Sequence, residues 1–104
     1  KPVVLLALKQ GKEIHDLAPL LKQYAGHVIV TTFVHSQDLP LKSIEPAEIA
    51  AVLDRFGVSH EIVTDQDKAY ELFIDRPEDT RVITGSFYLL AQLRQKHPEL
   101  HKHN

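Results

Sequence analysis

The sequence predicts an α/β domain, a mainly parallel sheet with helices on both faces. Three observations predict it. Four short runs of aliphatic and β-branched residues, at 3–8, 27–33, 60–63 and 81–84, have the length of strands. Apolar residues recur between them at helical spacing. The connections are short, and strands that alternate with helices imply a parallel sheet covered on both sides, with right-handed crossovers.

The elements follow in order. Residues 3–8, VVLLAL, are too short for a typical helix and too apolar for an edge, so they read as a strand buried on both faces. Residues 9–12 form a turn. Ile14, Leu17, Ala18, Leu21 and Tyr24 then mark an amphipathic helix that Gly26 is expected to cap. HVIVTTF, 27–33, is the second strand, and a polar loop containing Pro40 spans 34–44. Pro46 suits the first turn of a second helix, whose stripe is Ile49, Val52, Leu53 and Phe56 and which Gly57 ends. HEIV, 60–63, is a short third strand. Asp65 is placed to cap a third helix that buries Ala69, Leu72 and Phe73. After a turn at 75–79 comes the fourth strand, RVIT, 81–84. A last helix begins near Ser86, buries Leu89, Leu90 and Leu93, and ends near Pro98. The expected architecture is a three-layer, Rossmann-like domain over 1–97 followed by a polar, His-containing tail at 98–104.

Size and composition narrow the classes. The 104 residues suffice for one core and not two, and 43% hydrophobic with 25% charged residues is globular composition. The formal net charge is −2 with the basic residues scattered, which argues against nucleic acid or an acidic membrane surface as the main partner. The chain has no cysteine, so disulfide and thiolate chemistry are excluded and a cytoplasmic location is compatible. No apolar run approaches the ~20 residues of a membrane span, and the start does not read as a signal peptide. Lys1 and Pro2 lead straight into the first strand without an initiator methionine, so a piece of a longer polypeptide is expected.

In open α/β sheets, ligands bind beyond the carboxyl ends of the strands. That rule selects the loops at 9–13, 31–45, 64–66 and 84–87. In the last, Thr84, Gly85 and Ser86 join strand to helix. Gly85 can adopt a backbone that other residues avoid, and Ser86 stands where unpaired N–H groups and the helix dipole would receive a carboxylate or phosphate. The plainer alternative is a serine capping its own helix. Lys9 and Lys12 flank Gly11 after the first strand and could neutralise an anion, or be solvated turn lysines. Thr31 and Thr32 could offer hydroxyls, or merely favour a strand. No phosphate-loop or dinucleotide fingerprint occurs, and no serine elbow. His97, His101 and His103 cluster in the tail, while His15, His27, His35 and His60 show no metal-ligand spacing.

The stretches VVLLALKQGKEIHDLAPLL, HVIVTTF, PAEIAAVL and RVITGSFYLLAQLR together resemble one family. It is the C-terminal domain of folylpolyglutamate synthase/dihydrofolate synthase, in the Mur ligase superfamily. The resemblance runs from about residue 3 to residue 94. Its strongest piece is VITGSFYLL, similar to the family's V-T-G-S-x-Y-L, and the second is ALKQGK, similar to G-A-L-x-D-K-D. The resemblance implies an enzyme that joins L-glutamate to a folate or dihydropteroate carboxylate through an acyl phosphate, with ATP and Mg2+. It implies that Ser86 contacts the glutamate carboxylate, that Lys12 is the cationic contact, and that Tyr88 belongs to the same pocket. It also implies an upstream N-terminal ATPase domain of the same polypeptide, which would hold ATP and the metal, so this segment alone is expected to be inactive.

Two departures stand out. The family's Gly before Ala-Leu is Leu6 here, which is expected to narrow the backbone's approach to a ligand. The family's Asp-Gly-Ala-His-Asn stretch has no counterpart, so the domain is expected to lack its first β-α unit. Other readings are a free-standing, non-catalytic α/β binding or regulatory module, or the matching domain of another Mur-type amino-acid ligase. A receiver-like domain needs an acidic cluster after its first strand, where this chain has Leu8, Lys9 and Gln10.

Overall fold

The apolar run at the start of the chain forms β1 (Val3–Leu6), an inner strand of the parallel sheet, four-stranded among the described residues. The computed structural model describes residues 1–9, 14–32, 44–78 and 80–84. After β1 come α1 (Ile14–Tyr24), β2 (His27–Val30), α2 (Pro46–Arg55), β3 (His60–Ile62), α3 (Gln66–Asp75) and β4 (Arg81–Thr84). The sheet order is β3-β2-β1-β4, with Val3 opposite both His27 and Arg81, and Val28 opposite His60. The expected last helix, the tail at 98–104 and most of the 34–44 loop lie outside the described residues.

Alternation along the strands sorts the core into two layers. Val4, Leu6, Val28 and Val30 face α1 and α2, packing with Ile14, Ala18, Leu21, Ile49, Val52 and Leu53. Val3, Leu5 and Ile29 face the other way, onto Ala69, Tyr70 and Phe73 of α3. The domain therefore has helices on both faces of its sheet. β1 is buried on both sides, which is why VVLL carries no polar alternation. The edge strands β3 and β4 are more exposed.

Local chemistry explains most boundaries. Pro46 occupies the first turn of α2, where its missing N–H costs nothing. Gly57 ends that helix at φ +70°, a conformation that suits glycine. Asp65 caps α3, its carboxylate accepting from the N–H groups of Asp67 (2.9 Å) and Lys68 (3.1 Å). At the other end of α3, the Arg81 guanidinium donates to the carbonyls of Phe73, Ile74 and Arg76, binding the helix to the start of β4. Pro19 lies inside α1 on its exposed face, where water can reach the carbonyl its ring leaves unserved.

Some expectations need correction. Gly26 is not a left-handed cap. Its N–H donates to the Pro2 carbonyl at 2.8 Å, and a side chain there would meet the Lys1 carbonyl at 3.1 Å. The close passage of the amino-terminal segment is what demands a glycine. Tyr24 is exposed, and Phe56 falls at the C-cap of α2, outside its buried stripe. In α3, Leu72 is exposed, and Tyr70 is buried in its place beside Phe73. The strand ladders are shorter than the apolar runs, because β1 and β2 stop pairing at Leu6 and Val30.

Candidate functional site

All four strands run the same way, so their carboxyl ends share one rim. The order of the sheet reverses between β1 and β4. β2 and β3 extend to one side of β1, whereas β4 returns to the other, its incoming helix α3 lying on the face opposite α1 and α2. This reversal is the switch point at which open α/β sheets place their ligands. Leu6 and Thr84 are register partners there, so the carboxyl ends of β1 and β4 lie side by side. Lys12 follows β1, and Ser86 and Tyr88 follow β4. These three candidates, with Gly11 and Gly85, lie outside the described residues.

The rest of the rim is largely committed to holding itself together. Thr31 and Thr32 both donate their hydroxyls to the Thr64 carbonyl, at 3.3 and 2.9 Å, which fastens β2 to the turn before α3. Thr31 is fully buried and its N–H donates to the Leu6 carbonyl. These threonines are structural ties. The α3 N-terminus is filled by its own Asp65 carboxylate, which would repel an incoming anion. The Ile44 N–H donates to the Leu8 carbonyl at 2.6 Å and closes the rim over β1. Lys9, half-buried, follows β1 by three residues. Leu6 is fully buried in the α1–α2 layer, where its side chain fills the core.

A second polar constellation occupies the opposite rim, at the amino ends of the strands. His27, the first residue of β2, is buried, with its Nε2 2.7 Å from Glu61 Oε2 and its Nδ1 2.8 Å from Ser59 Oγ. Close by, Arg76 donates two hydrogen bonds to Glu78, at 3.1 and 2.7 Å. That fork holds the Glu78 carboxyl below its ordinary range and raises the Arg76 guanidinium further. His60 is occupied by the Val58 carbonyl at 2.8 Å and stands 3.5 Å from Asp54, while His15 is exposed. Among the described residues no three His, Asp or Glu side chains gather as a metal site; His35, His97, His101 and His103 lie outside them.

The His27 constellation is not visible in the spacing of the sequence. His27 and Ser59 stand 32 positions apart, and only the parallel register of β2 and β3 joins them. The shared pattern His-x-Ile-Val in the two strands does not reveal it, because the register sets Val28, not His27, opposite His60.

Fold and rim together define a parallel, Rossmann-like α/β domain whose strand order reverses between β1 and β4. Comparison with family models, curated proteins and solved structures finds no match for this chain. Among the described residues no helix is long and apolar enough to cross a membrane.

Proposed function

We propose that this chain is the C-terminal domain of an ATP-dependent ligase that adds L-glutamate to folate or dihydropteroate, and that it helps bind the incoming glutamate. The observation that carries the proposal is the strand order β3-β2-β1-β4. It sets the carboxyl ends of β1 and β4 side by side, and the family-like stretches ALKQGK and TGSFYL run on from those ends in the sequence. A glutamate carboxylate received at the second loop by Ser86 would then lie within reach of a lysine from the first, Lys12, with Tyr88 lining the same pocket. The self-capped α3 and the mutually tied threonines leave this part of the rim as the natural anion site.

In this reading ATP and Mg2+ are held by the upstream ATPase domain of the same cytoplasmic polypeptide. Bound there, they would activate the folate carboxylate as an acyl phosphate. The residues of this domain orient the glutamate so that its amine meets that carbonyl, a gain in proximity rather than in bond-making.

The test is kinetic, on the intact parent enzyme. Ser86→Ala removes a hydrogen bond to a charged group, worth about 1–3 kcal/mol, and should raise the KM for glutamate roughly 5- to 150-fold with that for ATP nearly unchanged. Lys12→Ala should act in the same direction. A glutamate KM unchanged in both variants would remove this rim from the glutamate site.

A further inference from the structure

The amino-terminal rim holds a hydrogen-bonded chain of serine, imidazole and carboxylate that the ligase reading does not use. A carboxylate only accepts hydrogen bonds, so the Glu61 contact at 2.7 Å places the ring hydrogen of His27 on Nε2. In the tautomer with its one hydrogen on Nε2, the ring turns the Nδ1 lone pair to the Ser59 hydroxyl, 2.8 Å away. These are the three roles of an activated-serine site, in which a base takes the hydroxyl proton and an acid residue fixes the tautomer of that base. The ring nitrogens are exchanged relative to the common arrangement, but the order of the groups is the same.

Exposure fits the roles. The His27 side chain is 9% exposed, so its ring is held, whereas Glu61 is 39% exposed and Ser59 is open to solvent. The strands set the distances. Ser59 accepts the Val28 N–H on its carbonyl, and Glu61 is the register partner of Ile29. His27, Ile29 and Glu61 therefore lie on one face of the sheet. Arg76 and Glu78 add a paired charge of each sign beside the cluster and no net charge.

We propose that Ser59 is a nucleophile, with His27 as its general base and Glu61 as the positioning residue, and that it accepts acyl groups from small activated esters. In the step, Ser59 Oγ bonds to the ester carbonyl carbon and its proton passes to His27 Nδ1. The carbon–oxygen bond to the leaving phenolate then breaks, and the proton leaves with the phenol. Water hydrolyses the acyl-serine by the same route.

The experiment uses the whole chain with a fluorophosphonate probe, in which Oγ displaces fluoride from phosphorus, followed by peptide mass spectrometry. A single adduct on Ser59, formed faster than on Ser36, Ser43 or Ser86, is the expected result. The rate should fall 10²–10⁴-fold in His27→Gln. Because His27 is buried, Glu61→Gln provides the second arm. It should slow labelling about tenfold or more while the melting curve stays close to that of the parent, with partial recovery in Glu61→Asp. Labelling of Ser59 no faster than of the other serines, or at an unchanged rate in Glu61→Gln, would overturn the proposal and leave the cluster as a clasp between β2 and β3.

Discussion

Truncating Leu6 to alanine should cost the fold about 3–4 kcal/mol. The side chain is fully buried between the sheet and the α1–α2 layer, with Val4 before it and Val30 opposite. Removing the outer carbons of a leucine forfeits about 2–2.5 kcal/mol of transfer free energy at ~0.8 kcal/mol per methylene. A cavity term is added wherever the surroundings cannot collapse, and Leu→Ala changes in such cores span about 2–5 kcal/mol. Collapse is limited here, because the backbone on both sides of Leu6 is held in parallel ladders. For a domain of this size each kcal/mol lowers Tm by roughly 4–8 °C, so a fall of about 12–30 °C is expected. Urea titration followed by far-UV circular dichroism would measure it, with Leu20→Ala as the control. Leu20 is 53% exposed, and its truncation should stay within about 0.5 kcal/mol. A Leu6→Ala loss below about 1 kcal/mol, or no larger than that of Leu20→Ala, would refute the packing of β1 against α1 and α2.

Asp65→Ala should cost about 1 kcal/mol through loss of the α3 cap, and Asp65→Asn should recover most of it; equal melting of the two variants would show that the carboxyl oxygen does not cap. Gly57→Ala should cost about 1–2 kcal/mol, because an alanine must take the left-handed conformation; space is not the obstacle, as the nearest atom, Lys22 Nζ, would be 3.4 Å from the new carbon. Gly57→Asn should be milder, and denaturant midpoints compare the two. Glu78 supplies a pH test. Its carboxyl is held below the ordinary range by Arg76, so its contribution is complete above about pH 4.3 and is lost as the pH falls through the folded-state value. The gap in Tm between the parent and Glu78→Gln should therefore be present at neutral pH and close under acid, and a gap that widened under acid would reverse the assignment.

The sheet was legible because its signals are local. The unbroken apolar run of β1, the capping chemistry of Pro46, Gly57 and Asp65, and the stripe Ile49, Val52 and Leu53 each act within a few residues. What could not be read from the letters depends on distant neighbours. Gly26 looks like a helix terminator until Lys1 and Pro2 are seen to pass against it. Leu72 and Tyr70 compete for the α3 interface, and the aromatic residue wins beside Phe73, with ring centres 6.2 Å apart. Thr31 and Thr32 look like ligand hydroxyls until Thr64 is placed beside them. The rule that ligands sit beyond the carboxyl ends selects four loops from the letters alone. Which strand ends are adjacent follows from strand order, and periodicity carries no record of order.

That order also governs how the chain is born. β1 meets β2 by joining positions 3 and 27, but its other edge waits for position 81. Closing the longer loop costs about 1 kcal/mol more in chain entropy, so β4 should dock late. Until it does, one edge of VVLL stands open, a flat aliphatic strand with unpaired amides and no charge to deter a neighbour. A nascent or truncated chain that stops short of β4 is therefore a template for self-association, and the most buried strand of the finished fold is its most hazardous segment during synthesis.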